Sequence, residues 1–371
     1  MNPFVKNTAF VDRVIELALT IQQIAAPTFA EQRRAAFVLE GFRAAGLADV
    51  QTDAIGNVYG RLPGSANARP VVLSAHLDTV FPLDVPLQAR RNEQSIQAPG
   101  IGDNSLGLAA LFGVIWARQD QPPRGDLWLV ANVGEEGLGD LRGMKAVVDR
   151  FNALPQAYLI LEGLAFGQVY HRALGSKRYR ITAETKGGHS WVDFGAPSAI
   201  HELAGLITRL VSLPLPHKPR TTLNVGVIAG GTSVNTIAAE ARLELDLRSE
   251  GVETLSVLAA NVEELVAAAA RPEVKMSAEV IGLRPAGEIP ADHPLVRMAL
   301  HSLEAQGVSA HLSVGSTDAN IPLSRGLPAV CIGLTTGGGA HTLHETIQFS
   351  MLERGLGQLL HLLDQVFAST P

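Results

Sequence analysis

The stretch PVVLSAHLD, residues 70–78, decides the fold class. Residues 70–75 form a short apolar run, typical of a strand that is buried on both faces, and His76 and Asp78 follow where it would end. In open α/β sheets, ligands bind at the carboxyl ends of the strands. The stretch therefore predicts a buried strand that delivers a histidine and a carboxylate to a site at one sheet edge.

Two further apolar runs end in the same way. Residues 126–133, DLWLVANV, precede Glu135 and Glu136, and residues 158–161, YLIL, precede Glu162. Segments whose apolar residues recur at helical spacing separate these runs. Apolar strands that alternate with helices predict an α/β fold with a mostly parallel sheet and helices on both faces.

The pattern changes between residues 175 and 284. Residues 178–185 and 241–248 alternate apolar and polar side chains, as half-exposed strands do. The order strand–helix–strand–strand–helix–strand in this segment predicts a ferredoxin-like α+β unit. We therefore expect a large α/β domain, residues 1–174 and 285–371, that is interrupted by a smaller domain, residues 175–284.

The composition excludes several classes of protein. The 371 residues favour two domains, and the 46% hydrophobic content argues against disorder. The net charge of -6, with scattered basic residues, argues against a nucleic-acid or membrane partner. Residues 1–6 lack the apolar core of a signal peptide, and the apolar stretch 106–117 is shorter than the roughly 20 residues of a membrane span. We expect a soluble, cytoplasmic protein.

Asp103 lies in the glycine-rich segment GIGDNSLG, residues 100–107. Gly102 and Gly107 permit close backbone approach around a carboxylate where a loop enters a helix. Asn104 or Ser105 is the expected N-cap of that helix, and a capping role for Asp103 would not explain the flanking glycines. Asp103 is therefore the candidate carboxylate that bridges two metal ions.

Glu135 and Glu136 leave a buried strand between two glycines. An ordinary acidic loop is the alternative, but two adjacent glutamates at this position favour a chemical role. Because adjacent side chains diverge, one glutamate can bind a metal ion while the other holds the nucleophilic water and accepts its proton.

His76 and His341 are the candidate imidazole ligands, from opposite ends of the chain. Asp78 would accept the free ring N–H of His76 and fix its tautomer. His341 and His344 compete within GGGAHTLHE, residues 337–345, and the glycine run before His341 favours it. Together with the carboxylates, these imidazoles match the inventory of a two-metal hydrolytic site.

The chain resembles the dinuclear-zinc exopeptidase and amidohydrolase family of peptidase T, carboxypeptidase G, acetylornithine deacetylase and succinyl-diaminopimelate desuccinylase. The resemblance covers nearly the whole chain, and its motifs are specific together although not singly. In chain order the motifs are SAHLDTV (74–80), GIGDNSLG (100–107), GEEG (134–137), LEG (161–163), GGHS (187–190), VNTIAAEA (234–241), STDANIP (316–322) and GGGAHTLHE (337–345). STDANIP and the length resemble the peptidase T-like branch most.

The resemblance implies two Zn²⁺ ions per subunit, with Co²⁺ or Mn²⁺ as substitutes. The implied ligands are His76, Asp103 and Glu162 for one ion and Glu136, Asp103 and His341 for the other. It also implies a cis peptide between Asp103 and Asn104, Glu135 as general base and Asp78 as the residue that orients His76.

The family's small domain is a lid and dimerisation module, so the resemblance implies a homodimer. His189 matches a lid histidine that reaches toward the scissile carbonyl, often across the dimer. Asn235 matches a lid residue near the substrate, and Arg284 matches, more loosely, a residue that binds a substrate carboxylate. Turn roles are the alternatives for His189 and Asn235.

The implied activity is zinc-dependent hydrolysis of an amide bond in a small substrate, with a metal-bridging hydroxide as nucleophile. An aminopeptidase acting on short peptides, like a tripeptidase, is favoured, and an N-acyl amino acid deacylase of the acetylornithine or succinyl-diaminopimelate type is the close alternative. A single-metal hydrolase would leave Glu162 or Glu136 spare. A non-catalytic dimeric binding protein would be signalled by loss of Glu135 or a ligand, and none of these residues is lost.

Overall fold

The computed structural model describes residues 8–119 and 121–369. Residues 1–6, in which the sequence predicts no signal peptide, lie outside the described residues. Two compact units make up the structure: unit 1, Met1–Ala173 with Glu288–Pro371, and unit 2, Leu174–Gly287. The sequence had placed the corresponding borders at 174/175 and 284/285. Among the described residues, no helix is both long and apolar enough to cross a membrane.

The helices and strands are numbered in chain order. The helices are α1 Thr8–Gln22, α2 Gln32–Ala44, α3 Gly107–Arg118, α4 Arg142–Phe151, α5 Ala199–Val211, α6 Val252–Ala269, α7 Pro294–Glu304, α8 Asn320–Ser324 and α9 Leu352–Ala368. The strands are β1 Ala48–Thr52, β2 Val58–Leu62, β3 Ala68–His76, β4 Arg90–Arg91, β5 Ser95–Gln97, β6 Gly125–Asn132, β7 Ala157–Glu162, β8 Gln168–Ala173, β9 Gly175–Thr185, β10 Gly188–His189, β11 Thr221–Gly230, β12 Thr236–Ile237, β13 Glu240–Ser249, β14 Val274–Arg284, β15 Gly287–Glu288, β16 His311–Gly315, β17 Ala329–Gly333, β18 Gly337–Gly338 and β19 Thr346–Gln348.

The main sheet of unit 1 has the strand order β1-β2-β6-β3-β7-β17-β8, and β16 pairs with β8. Its centre, β6-β3-β7-β17, is parallel, whereas β2 pairs antiparallel with β6 and β8 pairs antiparallel with β17. Strands β7 and β17 and the second half of β3 are buried. Because burial of successive residues requires cover on both faces, the predicted mostly parallel, two-sided sheet is confirmed.

The helices of unit 1 cover the sheet through apolar faces of different widths. Helix α3 is apolar almost all round, and nearly every residue in it is buried. It packs against α1, α9 and β3, whereas α4 packs against α8 and β6. One aliphatic core joins these helices to the sheet. The helix that directly follows the Asp103 turn is therefore anchored in the core.

The predicted N-cap at Asn104 or Ser105 is wrong, because Leu106 occupies that position. Residues Ile101–Leu106 form an irregular turn in which Asp103 and Asn104 have non-helical backbone angles, and α3 begins at Gly107 without a side-chain cap. The amide of Asn104 donates to the Leu161 carbonyl at 2.7 Å, and its Oδ1 accepts from the Gly163 amide at 3.1 Å. Asn104 therefore binds the end of β7 instead of capping α3.

Unit 2 contains a four-stranded antiparallel sheet in the order β11-β13-β9-β14. Helices α5 and α6 pack against each other and against these strands. Leucines of β13, such as Leu243 and Leu245, meet Leu203 and Leu206 of α5 in a separate core. The strand order and the two helices confirm the predicted ferredoxin-like unit.

Candidate metal centre

Three neighbouring parallel strands of unit 1 end at the candidate site. His76 ends β3, Glu162 ends β7, and Glu135 and Glu136 follow β6. Strand β3 pairs in parallel with both β6 and β7, with His76 opposite Asn132. The carboxyl ends of these strands therefore bring the four predicted side chains to one sheet edge, where open α/β sheets bind ligands.

The first metal-capable group consists of His76, Asp103 and Glu162. His76 Nε2 lies 3.0 Å from Asp103 Oδ1 and 3.7 Å from Glu162 Oε2. One ligand atom from each residue lies within 4.8 Å of the others. The structure thus brings together the three residues expected at one ion.

The second group consists of Asp103, Glu136 and His341. His341 Nε2 lies 3.1 Å from Asp103 Oδ2 and 3.1 Å from Glu136 Oε1. Asp103 therefore presents one oxygen to each histidine, which is the arrangement that a bridging carboxylate requires. The peptide bond from Asp103 to Asn104 is cis, as the family resemblance implies.

The donor set fits two divalent cations. Imidazole nitrogens and carboxylate oxygens are ligands that Zn²⁺ accepts, and Mn²⁺ and Co²⁺ share this preference. A third group, His76 with Glu135 and Glu136, overlaps the first two. In the metal-free site, the two histidines balance part of the clustered negative charge.

That compensation appears in the pKa values of the site. Burial raises the pKa of Asp103, but hydrogen bonds from His341 and His76 outweigh it and hold this pKa well below its usual value. Burial lowers the pKa of His76, and the adjacent carboxylates, led by Asp103, outweigh it and raise that pKa. Asp103 and Glu136 raise the pKa of His341 to about 10, and burial raises the pKa of Glu162 to about 7. In the metal-free site, protons on these side chains therefore balance negative charge that bound cations would otherwise balance.

Asp78 has more partners than the sequence predicts. Its Oδ1 accepts from the Glu135 amide and its Oδ2 from the Glu136 amide, both at 2.9 Å. The Thr28 hydroxyl donates to the same Oδ2 at 2.9 Å. His76 Nδ1 lies 3.0 Å from the Asp78 carbonyl oxygen but 3.5 Å from Oδ1. The nearer acceptor for His76 is therefore the carbonyl, and the carboxylate mainly holds the glutamate loop.

Glu345, the last residue of the motif GGGAHTLHE, supports the site. Its buried carboxylate accepts hydrogen bonds from the amides of Gly100 at 2.9 Å, Gly102 at 2.6 Å and Asp103 at 2.8 Å. The loop that carries the bridging carboxylate is therefore held by a side chain from the other end of unit 1. His344 lies outside the metal-capable groups of the described residues, and its Nδ1 is 3.1 Å from Gln97 Nε2.

A buried amide–carboxylate pair lies beside the centre. Asn132, the last residue of β6, donates through Nδ2 to Asp318 Oδ2 at 2.7 Å. Asp318 belongs to the motif STDANIP and contributes to the raised pKa of Glu162. The motif was recognised as a family feature, but its spacing gave no signal for this contact.

The three site residues predicted in the small domain all lie in unit 2. His189, on β10, pairs with Thr236 of β12, and the Ser190 amide donates to the Asn235 carbonyl at 3.0 Å. The structure therefore brings His189 and Asn235 close together. Arg284 is buried and lies opposite Ser176, at one end of the β9–β14 pair. Thr185, the residue of β9 nearest in sequence to His189, lies at the other end of that pair. Unit 2 therefore does not bring Arg284 to His189.

Comparison with known proteins locates two family models on the chain. Residues 57–177 match the model of peptidase family M28, and residues 172–274 match that of the peptidase dimerisation domain. A probable carboxypeptidase of Aspergillus clavatus is 31% identical over 248 residues, which cover 59% of this chain and 54% of the relative. A peptidase M20 domain-containing protein of Schizosaccharomyces pombe is 32% identical over 214 residues, covering 55% of this chain and 50% of the relative. The chain spans about half the length of the curated relatives it matches.

Solved structures share the fold over almost the whole chain. A tripeptidase of Staphylococcus aureus superimposes with a TM-score of 0.81 at 24% identity, covering 97% of this chain and 99% of the other. The aminopeptidase PepT of Bacillus cereus gives 0.79 at 23%, covering 96% and 98%. A dinuclear metal-binding peptidase of family M20 from Bacillus subtilis gives 0.71 at 15%, covering 98% and 100%. The resemblance predicted from the motifs is confirmed by the family models, and the fold by these structures.

Proposed function

We propose that this chain, which resembles the M20 peptidases in both of its units, is a metal-dependent hydrolase that cleaves an amide bond in a small peptide. The observation that carries the proposal is Asp103. Its two carboxylate oxygens lie 3.0 and 3.1 Å from imidazole nitrogens of His76 and His341, one in each metal-capable group. A carboxylate with one oxygen in each group is placed to bridge the two metal ions of a hydrolytic site.

Two Zn²⁺ ions are the proposed cofactors. His76, Asp103 and Glu162 would hold one ion, and Asp103, Glu136 and His341 the other. When bound, such ions activate water and polarise a carbonyl.

Glu135 is the proposed general base. It belongs, with His76 and Glu136, to a group whose ligand atoms lie within 4.8 Å of one another, and it is buried. Its carboxylate is thus close enough to the centre to accept a proton from a water molecule there and to pass it to the leaving amine. Glu136, which contacts His341, serves as ligand instead.

Unit 2 is the proposed source of substrate contacts. His189 is exposed and next to Asn235 in the β10–β12 pair, so both can meet a substrate together. We propose that His189 stabilises the oxyanion and that Asn235 positions the substrate. Binding of a substrate carboxylate by Arg284 is a separate proposal, because Arg284 lies away from this pair in unit 2. The match of residues 172–274 to a dimerisation domain supports a homodimer.

Short peptides with a free amino terminus are the favoured substrates, and N-acyl amino acids are the alternative. The structures of an aminopeptidase and a tripeptidase, which share the fold over nearly the whole chain, support the first choice. The Aspergillus clavatus relative, named as a probable carboxypeptidase, adds cleavage at a carboxyl terminus to what must be tested.

The test is a paired assay of zinc-loaded protein against tripeptides, the same peptides with a blocked amino terminus, and N-acyl amino acids. Metal content is measured on the same samples. We expect turnover of free tripeptides and two zinc ions per chain. Glu135→Gln should reduce turnover by about 10²–10⁴-fold and keep both ions, whereas Glu136→Gln should lose one ion.

Each other outcome has a defined meaning. Preferred turnover of N-acyl amino acids would change the substrate class to that of a deacylase, and one ion per chain would favour the single-metal alternative. If the zinc-loaded wild type turned over none of the three substrate classes, the proposed hydrolase function would be overturned and a binding protein would be favoured.

A further inference from the structure

Four consecutive backbone amides, those of residues 133–136, donate to side chains in place of strand partners. The acceptors come from three separate segments of unit 1. In order, the Val133 amide donates to Asn57 Oδ1 at 2.9 Å, that of Gly134 to Glu31 Oε1 at 3.1 Å, and those of Glu135 and Glu136 to Asp78 Oδ1 and Oδ2 at 2.9 Å. Each of the four amides in the loop that carries the proposed base is therefore bound by a side-chain oxygen.

Glu31 is the acceptor that is also paired with an arginine. It is buried, and its carboxylate also pairs with Arg142 Nη2, at 3.0 Å from Oε1 and 3.1 Å from Oε2. Arg142 packs directly on Gly134, because a Cβ built there would lie 2.6 Å from its Nε. The guanidinium carbon of Arg142 lies 4.7 Å from the ring centre of Phe29. Glu31 and Arg142 therefore hold Gly134 from two sides.

Residues 133–136 need these acceptors because they follow the end of β6, where the sheet no longer provides hydrogen-bond partners for their amides. Strand β6 ends at Asn132, Gly134 has a φ of 65°, and its amide donates to Glu31 instead of to a neighbouring strand. A displacement on the order of 1 Å at a catalytic group can cost about a hundredfold in rate. A fixed acceptor for the amide just before Glu135 reduces that displacement.

We propose that Glu31 is a positioning residue that fixes the loop of Glu135 and Glu136 through the Gly134 amide and Arg142. This inference rests on the proposed function for its effect on turnover, and on the contacts alone for its effect on the loop.

The variants are Glu31→Ala, which removes the acceptor, and Glu31→Gln, which keeps an amide oxygen for Gly134 but loses the ion pair. Asp126→Ala is the matched control. Asp126 also accepts a glycine amide, that of Gly64 at 2.9 Å, and also pairs with an arginine, Arg61, but it lies at the start of β6, away from the site.

With zinc-saturated protein, Glu31→Ala should lower kcat by about tenfold to a hundredfold, with KM and the zinc content unchanged. Glu31→Gln should fall between this variant and the wild type, and Asp126→Ala should keep the wild-type kcat. In the background of Glu135→Gln, adding Glu31→Ala should cost little more, because the two residues act through one loop. A full further loss in that background, or an equal loss in Asp126→Ala, would overturn the proposal.

The Co²⁺ absorption spectrum of the substituted protein gives a readout that does not need turnover, because Glu136 lies on the same loop. The spectrum should change in Glu31→Ala and stay as in the wild type in Asp126→Ala. If the wild type turns over no substrate, the proposed function fails, and the spectrum alone decides the inference. An unchanged spectrum in Glu31→Ala would overturn it.

Discussion

Asp78 Oδ1 accepts a hydrogen bond from the backbone amide of Glu135 at 2.9 Å. The contact joins the end of β3 to the loop after β6. The Asp78 carbonyl oxygen lies 3.0 Å from His76 Nδ1, so the same residue also contacts a proposed metal ligand. One aspartate thus fixes the position of an imidazole relative to the proposed base.

Removal of the Asp78 carboxylate should destabilise unit 1. In Asp78→Ala the amides of Glu135 and Glu136 lose their acceptors, and each unpaired buried donor costs about 1–3 kcal/mol. We expect the free energy of unfolding of the metal-free protein, measured with denaturant, to fall by about 2–5 kcal/mol. Thr28→Val, which removes one donor to the same carboxylate, is the control and should cost about 1 kcal/mol. Equal losses in the two variants would contradict this account.

Gly134 should not tolerate a side chain. Its φ is 65°, and an added Cβ would lie 2.6 Å from Arg142 Nε. We expect Gly134→Ala to lower the free energy of unfolding by about 1–3 kcal/mol and to reduce turnover. Gly205→Ala is the control, because Gly205 lies in α5 with no atom within 4 Å of the added Cβ. That control should gain about 0.5–1 kcal/mol from helix propensity. A stable Gly134→Ala variant with full turnover would refute the expectation.

Glu345 should control metal affinity without binding metal. Its carboxylate holds the amides of Gly100, Gly102 and Asp103, so Glu345→Ala frees the loop of the bridging carboxylate. We expect the Kd for Zn²⁺, measured by competition with a chromophoric chelator, to rise about 10–100-fold. Glu353→Ala, at an exposed glutamate of α9, should leave the Kd unchanged. The same Kd for both variants would show that the three contacts do not support the site.

Zinc affinity should rise with pH. In the metal-free site the pKa of His341 is raised to about 10 by Asp103 and Glu136, and burial raises that of Glu162 to about 7. Near neutral pH His341 therefore holds a proton that a cation must displace, and the affinity gains about tenfold per pH unit for each proton released. Competition titrations at pH 6, 7 and 8 measure the slope, and calorimetry in buffers of different ionisation enthalpy counts the protons. His341→Ala should release fewer protons, and a flat profile would contradict the pKa shifts.

The sequence predicted the parts of the fold that long apolar runs determine. Strands β3, β6 and β7 are recognisable because burial on both faces favours runs of apolar residues, and their ends locate His76, Glu135, Glu136 and Glu162. The antiparallel strands β1, β2 and β8 were missed. They are shorter or only partly buried, so neither an apolar run nor clear alternation marks them.

The supporting contacts of the site could not be read from the sequence for a different reason. Glu31, Asn57 and Glu345 act on backbone amides, and every residue except proline has an amide, so no residue type identifies the partner. The predicted N-cap at Asn104 failed for the same reason, since its partners are the backbone of Leu161 and Gly163. The side chains of the metal-capable groups could be named from the sequence, whereas the side chains that bind backbone amides could not.

The long sequence separation within the site has a consequence for biosynthesis. When the ribosome has completed unit 2, His76, Asp103 and Glu162 have already been made, but His341 and Glu345 have not. Glu345 lies 245 residues after Gly100, whose amide it accepts. The nascent chain therefore carries only part of the candidate site throughout synthesis of unit 2. With the ligands proposed here, binding of the second metal ion would require that translation and folding of the segment with His341 are complete.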